Sequence, residues 1–243
     1  MEKDLLEVEK FHFNELREEY GEEEFNNLMK EFLTTFTYES ITIEGKNGIS
    51  KDKVAEILAT ESISDSLPER EQKEALNYAR AFKHVQKLVS LRRKMDEDII
   101  KDLHEMIMDG IVQGGHYRQV NVQLKNSMHQ PPNYTKVYDR MEKFIYDLEH
   151  FRGTTVQKAA FAHASILKVH PFLDGNGRLA RLLLNYVLMF DGYMPVSIPL
   201  TEKDVYRDAL DKFKVEKDLS PFATYIYNQL LNAYETYISA LEN

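Results

Sequence analysis

Apolar residues in this chain recur at helical spacing almost from end to end, and that periodicity constrains the fold more than any other feature. Between Glu69 and Leu91 they fall at Ala75, Leu76, Ala79, Phe82, Val85, Leu88 and Val89. Steps of three and four make one stripe on a helix and no single face on a strand. Helix-start signals sit where such stretches need them. Ser50 precedes a short helix to Thr60, Asp96 precedes one from Ile99 to Met108, and Thr154 with Gln157 makes a capping-box pattern before a helix to Val169. Further helices are predicted from Lys136 to Phe151, after residue 177 to about Asp191, near 202–214, and from Pro221 onward. Gly21 is expected to break a first helix from a second, which stops near Gly45-Lys46-Asn47-Gly48. With only 10 Gly and 7 Pro among 243 residues, the turns of an all-β fold are not provided for. One segment departs from the pattern. In residues 117–124, Val120, Val122 and Leu124 lie two apart, which predicts one or two short strands ended by Pro131-Pro132. The expected class is therefore all-α with one short β-hairpin.

Charge and cysteine content narrow the function classes. The net charge is −9 and no basic patch stands out, so nucleic acid is not an expected partner. There is no cysteine, which removes disulfides and thiolate metal sites. No apolar run reaches membrane-spanning length, and the charged start Met1-Glu2-Lys3-Asp4 does not read as a signal peptide, so a cytoplasmic protein is expected. The Glu-rich residues 1–33 read as a solvated helix face.

The chemistry is concentrated in residues 170–181, His-Pro-Phe-Leu-Asp-Gly-Asn-Gly-Arg-Leu-Ala-Arg. The backbone of Gly175, Asn176 and Gly177 can offer N–H groups to phosphate oxygens, and the helix that begins there adds the positive end of its dipole. Asp174 supplies a hard oxygen ligand for a divalent cation such as Mg²⁺. His170 can accept a proton from a hydroxyl near neutral pH. Arg178 and Arg181, three apart, share a helix face and can grip phosphate oxygens.

This stretch resembles the signature of the Fic family, H-P-F-x-[D/E]-G-N-G-R-x-x-R, at every specified position. The resemblance implies transfer of AMP from ATP, with Mg²⁺, to a Ser, Thr or Tyr hydroxyl of a protein, which need not be another molecule. His170 would be the base, Asp174 the metal ligand, and Gly175, Asn176, Gly177, Arg178 and Arg181 the phosphate contacts. It also places Asn185 beside the nucleotide, although packing of a helix-face asparagine against a loop explains that residue equally well. The segment Tyr206 to Leu210 resembles one that lines the adenine pocket, which makes Tyr206 a candidate there. His163, seven residues before His170, occupies a position where the family often has histidine, and a buried structural histidine accounts for it as well.

Two further segments carry the resemblance. Gly115-His116-Tyr117-Arg118, the alternating residues to Leu124, and His129-Gln130-Pro131-Pro132 resemble the family's flap, which pairs with the backbone of the target. Tyr117, Arg118, Val120, Val122 and Leu124 would then face the protein substrate. Upstream, Ser40-Ile41-Thr42-Ile43-Glu44-Gly45 resembles the inhibitory motif [S/T]-x-x-x-E-[G/N]. Ser40 and Glu44 share a helix face, and Gly45 can close the helix in the left-handed region. The resemblance pairs Glu44 with Arg181 and so blocks productive seating of ATP. On this reading residues 1–50 form a helical extension carrying the inhibitory helix at about 34–45, and 51–243 form the catalytic domain. A homodimer is compatible with it. Removal of AMP from modified proteins, transfer of another nucleotide or a phosphate group, and a nucleotide-responsive binding module are the competing readings. The likeness spans about residues 34–222 and leaves 1–33 without a counterpart.

Overall fold

The computed structural model describes residues 4–124 and 129–242. Ten α-helices account for most of them: α1 (Leu5–Tyr20), α2 (Glu22–Thr42), α3 (Lys51–Thr60), α4 (Glu69–Ser90), α5 (Glu97–Met108), α6 (Val137–Glu149), α7 (Thr155–Val169), α8 (Asn176–Phe190), α9 (Lys203–Asp211) and α10 (Ser220–Glu242). Their starts follow the side-chain chemistry. The Asp96 carboxylate accepts the Ile99 N–H at 2.8 Å, and Ser50 Oγ accepts that of Lys53 at 3.4 Å. Thr154 and Gln157 form both bonds of the capping box, at 3.2 and 3.0 Å. Gly21 separates α1 from α2 at φ 90°, a backbone angle that residues with a Cβ rarely adopt.

Helix α8 is the centre of the molecule. Leu179, Ala180, Leu182, Leu183, Leu184 and Leu188 are all fully buried. A helix apolar on every side has to be enclosed by others, and α7, α4, α5 and α2 surround it. Each buried leucine contributes about 1.5–3 kcal/mol of transfer free energy. The first helix is different. Leu6, Phe13 and Leu16 are its buried residues, and Phe13 meets Tyr234 and Tyr237 of α10 at 5.8 and 6.0 Å between ring centroids. Its glutamates are exposed or half-buried, in keeping with a solvated face.

The expected hairpin is not present: among the described residues no strand forms, and residues 117–124 run as irregular chain, while 125–128 lie outside the described residues. Arg118 explains the difference. Its main-chain N–H donates to Pro171 O at 2.8 Å, and its guanidinium donates to the carbonyls of His170, Val120 and Pro132. Asn121 Oδ1 accepts the Tyr134 N–H at 2.9 Å. Side-chain-to-backbone bonds thus hold the described part of this segment where a strand ladder was expected.

Candidate active site

Burial of α8 forces partners on its polar residues. Arg178, Arg181 and Asn185 lie on an otherwise apolar helix and are 5%, 2% and 0% exposed. A buried guanidinium must be hydrogen-bonded or paired. Arg181 reaches the end of α2, where its Nη2 donates to Ser40 O at 2.7 Å and its Nε to Ser40 Oγ at 3.1 Å. The Glu44 carboxylate is the third partner, with Oε1 3.6 Å from Nη2. The expected glutamate–arginine pair is therefore present, but Ser40 makes the shorter contacts. Helix α2 ends at Thr42, and Glu44 sits on the turn closed by Gly45 at φ 72°.

The same carboxylate lies against the start of α8. A side chain at Gly177 would collide with Glu44 Oε1 and come within 3.3 Å of Arg181 Nη1. The glutamate thus occupies the concave ground at a helix N-terminus, where backbone N–H groups and the dipole favour an anion. Gly175 takes φ 76°, and a Cβ there would lie 2.8 Å from Met108 Sδ. Asn176 spends its side chain on the turn, bonding the N–H and the carbonyl of Phe172 at 3.0 and 2.9 Å. Only its main chain is left to face the cradle.

His170 ends α7 in the left-handed region, at φ 50° and ψ 60°, with its N–H on Ile166 O at 2.7 Å. Its carbonyl is held by Arg118 Nε at 2.9 Å. Burial lowers its pKa to about 4; the Glu44 charge works in the opposite direction, and Arg118 adds to the lowering. The imidazole is therefore neutral at pH 7 and able to accept a proton, and its Nδ1 is buried without a hydrogen-bond partner.

Asp174 is half-buried. Burial acts to raise its pKa, but the Gly175 N–H and the cations of Lys46 and Arg178 outweigh it and leave the carboxyl below its ordinary value. Oδ1 accepts from Gly175 N at 2.9 Å and from Lys46 Nζ at 3.3 Å, and Oδ2 from Arg70 Nη2 at 2.9 Å. No group of three or more His, Asp or Glu able to hold a metal occurs among the described residues. A single carboxylate beside an anion cradle fits a hard cation that would arrive with a polyphosphate better than a metal caged by protein alone, and Asp174 is the residue that would hold it.

The remaining candidates are placed as follows. Arg178 Nη2 lies 3.5 Å from Met108 Sδ and 3.6 Å from Glu74 Oε1, and its Nη1 is buried without a hydrogen-bond partner. Asn185 donates to Val196 O and accepts from Val196 N, at 2.9 and 2.8 Å. Its amide thus braces the main chain at Val196, the loop packing that the sequence allowed as readily as a place beside the nucleotide. Tyr206 is 5% exposed, with its hydroxyl 3.0 Å from His163 Nε2 and Phe222 and Tyr225 around the ring. It presents no open face to a purine in this arrangement. Of the flap candidates, Tyr117 and Arg118 are buried, Val122 and Leu124 half-buried, and Val120 exposed.

Residues 94–188 match the Fic/DOC family. Those residues are a Fic/DOC-family domain of this chain. It is 33% identical over 218 residues to a protein adenylyltransferase Fic of Drosophila yakuba, which covers 87% of this chain and 43% of that protein. The corresponding protein of Drosophila melanogaster matches to the same extent. The chain thus spans less than half the length of these curated relatives. A Fic-domain signaling protein from Bacteroides thetaiotaomicron superposes with a TM-score of 0.83 at 22% identity, covering 95% of this chain and 98% of that one. Fic-1 of C. elegans gives 0.82 at 24% identity, covering 98% and 73%. At those identities the two structures show the fold.

Beyond the Fic signature, several residues that belong to no local motif frame the site. His104 of α5 bonds Asp174 O and Gly115 N, both at 2.9 Å. Asn47 is 4% exposed and joins the turn after Glu44 to α4 through Glu71 O and Glu74 Oε2, both at 3.0 Å. Glu74 in turn pairs with Arg178 and Arg70. Apart from Arg70 and Glu74, one helical turn apart, these partners are separated by between 11 positions (His104–Gly115) and 104 (Glu74–Arg178), which hides the contacts from any local motif. A buried-type position filled by histidine at His104, in phase with Ile100 and Ile107, was the one available signal.

Proposed function

We propose that this protein is an autoinhibited protein adenylyltransferase. It would move AMP from ATP to a Ser, Thr or Tyr hydroxyl of a protein, and release pyrophosphate. The observation that carries the reading is the Glu44 carboxylate lodged between Gly177 and Arg181, beside a neutral His170. An anionic side chain in that cradle stands where ATP phosphate oxygens would bind. The names of the Drosophila relatives supply the reaction class.

In the transfer, the hydroxyl oxygen attacks the α-phosphorus of ATP while its proton passes to the His170 imidazole. The bond from that phosphorus to the bridging oxygen breaks, and pyrophosphate departs with its electron pair. The main chain of Gly175–Gly177 and the Arg181 guanidinium hold the phosphates. Arg178, whose Nη1 lacks a partner, would extend that grip after a local shift away from Glu74. Mg²⁺ on Asp174 would neutralise phosphate charge. Such a reaction depends mostly on positioning and charge, which this arrangement offers. Target backbone would dock near Val120, the exposed one of the five flap candidates. The domain division at about residue 50 belongs to the same reading.

A second reading has one observation in its favour. Glu44 is 35% exposed in its side chain and faces the cradle, so it is able to orient a water for removal of AMP from a modified protein. Incubating wild type and Glu44→Gly with ATP and Mg²⁺ and searching for an AMP adduct by mass spectrometry tests the first reading. An adduct on Glu44→Gly supports it. ATP binding with no adduct on any protein of a lysate would reject it.

A further inference from the structure

We propose that His104 is a positioning residue for the phosphate-binding turn. As a neutral imidazole protonated on Nε2, it ties the Asp174 main chain to the flap root at Gly115. The inference rests on the reading that the turn 174–177 binds ATP phosphates.

The tautomer follows from the geometry. Gly115 N lies 2.9 Å from Nδ1, and a backbone N–H can only donate, so Nδ1 is the acceptor. The ring proton then sits on Nε2, which is 2.9 Å from Asp174 O, an atom that can only accept. Each nitrogen is used once, and each faces a different loop. The ring plane makes a third contact. It stacks on Phe172 at 3.6 Å between centroids and 7° between planes. The turn is therefore gripped at residue 172 by the ring face and at residue 174 by the ring edge.

The surroundings leave this grip little slack. His104 is 2% exposed. A Cβ on Gly175 would come 3.2 Å from His104 Nε2, so the chain passes directly over the ring. On the other side a Cβ on Gly114 would meet the Glu105 Cα at 2.5 Å and the His104 carbonyl at 3.0 Å. Two irregular segments, one proposed to hold phosphate and one to hold the target, are thus pressed against one turn of α5 and share one side chain. The Asp174 main-chain orientation sets where its carboxylate points. A small rotation there displaces the oxygen offered to Mg²⁺ and the N–H of Gly175. His104 touches neither substrate, so its effect would pass through Asp174.

The test compares three substitutions in the Glu44→Gly background: His104→Phe, which keeps the stack and loses both bonds; His104→Gln, whose amide reaches the Nε2 level; and His104→Asn, whose amide reaches only the Nδ1 level. Readouts are kcat for AMP transfer, KM for ATP, melting temperature, and the added stabilisation by ATP when Mg²⁺ is present. We expect His104→Phe and His104→Asn to lose roughly tenfold or more in kcat and most of the Mg²⁺-dependent increment, by analogy with supporting residues of metal sites. His104→Gln should recover the larger part of both. Losses that follow melting temperature alone, or equal values for the Gln and Asn variants, overturn the proposal. If the Phe variant does not fold, the Gln–Asn pair decides. Nitrogen-15 NMR of the wild-type histidine gives an independent check, since a proton found on Nδ1 also overturns it. Should Glu44→Gly itself transfer no AMP, the adenylyltransferase reading fails, while the magnesium increment and the tautomer still decide the role of His104.

Discussion

Replacing Glu44 by glycine separates two quantities, stability and rate, that the structure predicts will move by different amounts. The carboxylate is 3.6 Å from Arg181 Nη2. At an effective dielectric of about 20 the bare attraction at that distance is roughly 4–5 kcal/mol. Little of it survives as net stability. The Glu44 side chain is 35% exposed, and Arg181 keeps its bonds of 2.7 and 3.1 Å to Ser40 after the substitution. A net loss of about 1 kcal/mol is the expected order. For a chain of this size that lowers Tm by about 2–4 °C. The rate responds to something else: the ground beside Gly177 is vacated and one face of the Arg181 fork becomes free for a phosphate oxygen. If alignment of the phosphates recovers ~3 kcal/mol, AMP transfer rises about a hundredfold.

The assay is incorporation of label from ATP labelled in the α-phosphate, measured for wild type, Glu44→Gly, and Glu44→Gly combined with His170→Ala, alongside thermal melts. Wild type labelling as fast as Glu44→Gly would refute the reasoning. So would a Tm loss well beyond that range, because faster labelling could then come from a loosened fold. Ser40→Ala is the internal control. It removes the acceptor of a fully buried Arg181 Nε, so it should cost about 1–3 kcal/mol, more than Glu44→Gly. With the carboxylate still in the cradle, it should relieve inhibition less. The reverse order for the two variants would mean that Ser40, and not Glu44, keeps ATP misplaced.

The other expectations are shorter. His170→Ala in the Glu44→Gly background should lower AMP transfer by about 10²–10⁴-fold while ATP still raises the melting temperature; undiminished labelling would remove His170 from the proton transfer. Asp174→Asn should keep the fold, since its partners Lys46 and Arg70 are 62% and 54% exposed and can be solvated. It should lose the Mg²⁺-dependent part of ATP stabilisation, read by thermal melts with and without the metal; an unchanged increment would count against the ligand role. Acidification should destabilise the fold. Burial holds the folded-state pKa of His170 at about 4 and that of His163 well below its usual value, so the unfolded chain binds more protons below about pH 6.5. Stability contributed by these neutral histidines is complete above that pH and falls as the pH drops toward 4. Denaturant titrations at pH 7.5 and 5.0 giving equal stability would contradict this.

What the sequence made legible is what depends on neighbours along the chain. Ser40 and Glu44 are four apart on one turn, so their shared direction toward a partner could be read, and the structure adds that Ser40 holds Arg181 more closely. Capping residues Ser50, Asp96 and Thr154 act within three residues of themselves; the helices after Ser50 and Thr154 begin where expected, and the one after Asp96 begins at Glu97, two residues before the expected Ile99. Alternation misled at residues 117–124. A period of two says which side chains share a side, but it does not supply a partner strand. Here the donors of Arg118 are drawn to the carbonyls of residues 170 and 171. Asn185 shows the opposite limit: a polar residue on a buried helix demands a partner, yet periodicity does not say whether that partner is a loop carbonyl or a nucleotide. The same holds for His104, whose two nitrogens meet residues 11 and 70 positions away. Both are buried polar groups on helices that are otherwise largely apolar on that face. A group of that kind has to find hydrogen bonds somewhere. On α5, His104 fastens to the main chain of Asp174 and Gly115, and on α8, Arg181 fastens to Ser40 and Asn185 to Val196. A buried histidine on α5 thus leads to the site although no local motif includes it, while a buried asparagine on α8 leads to a loop.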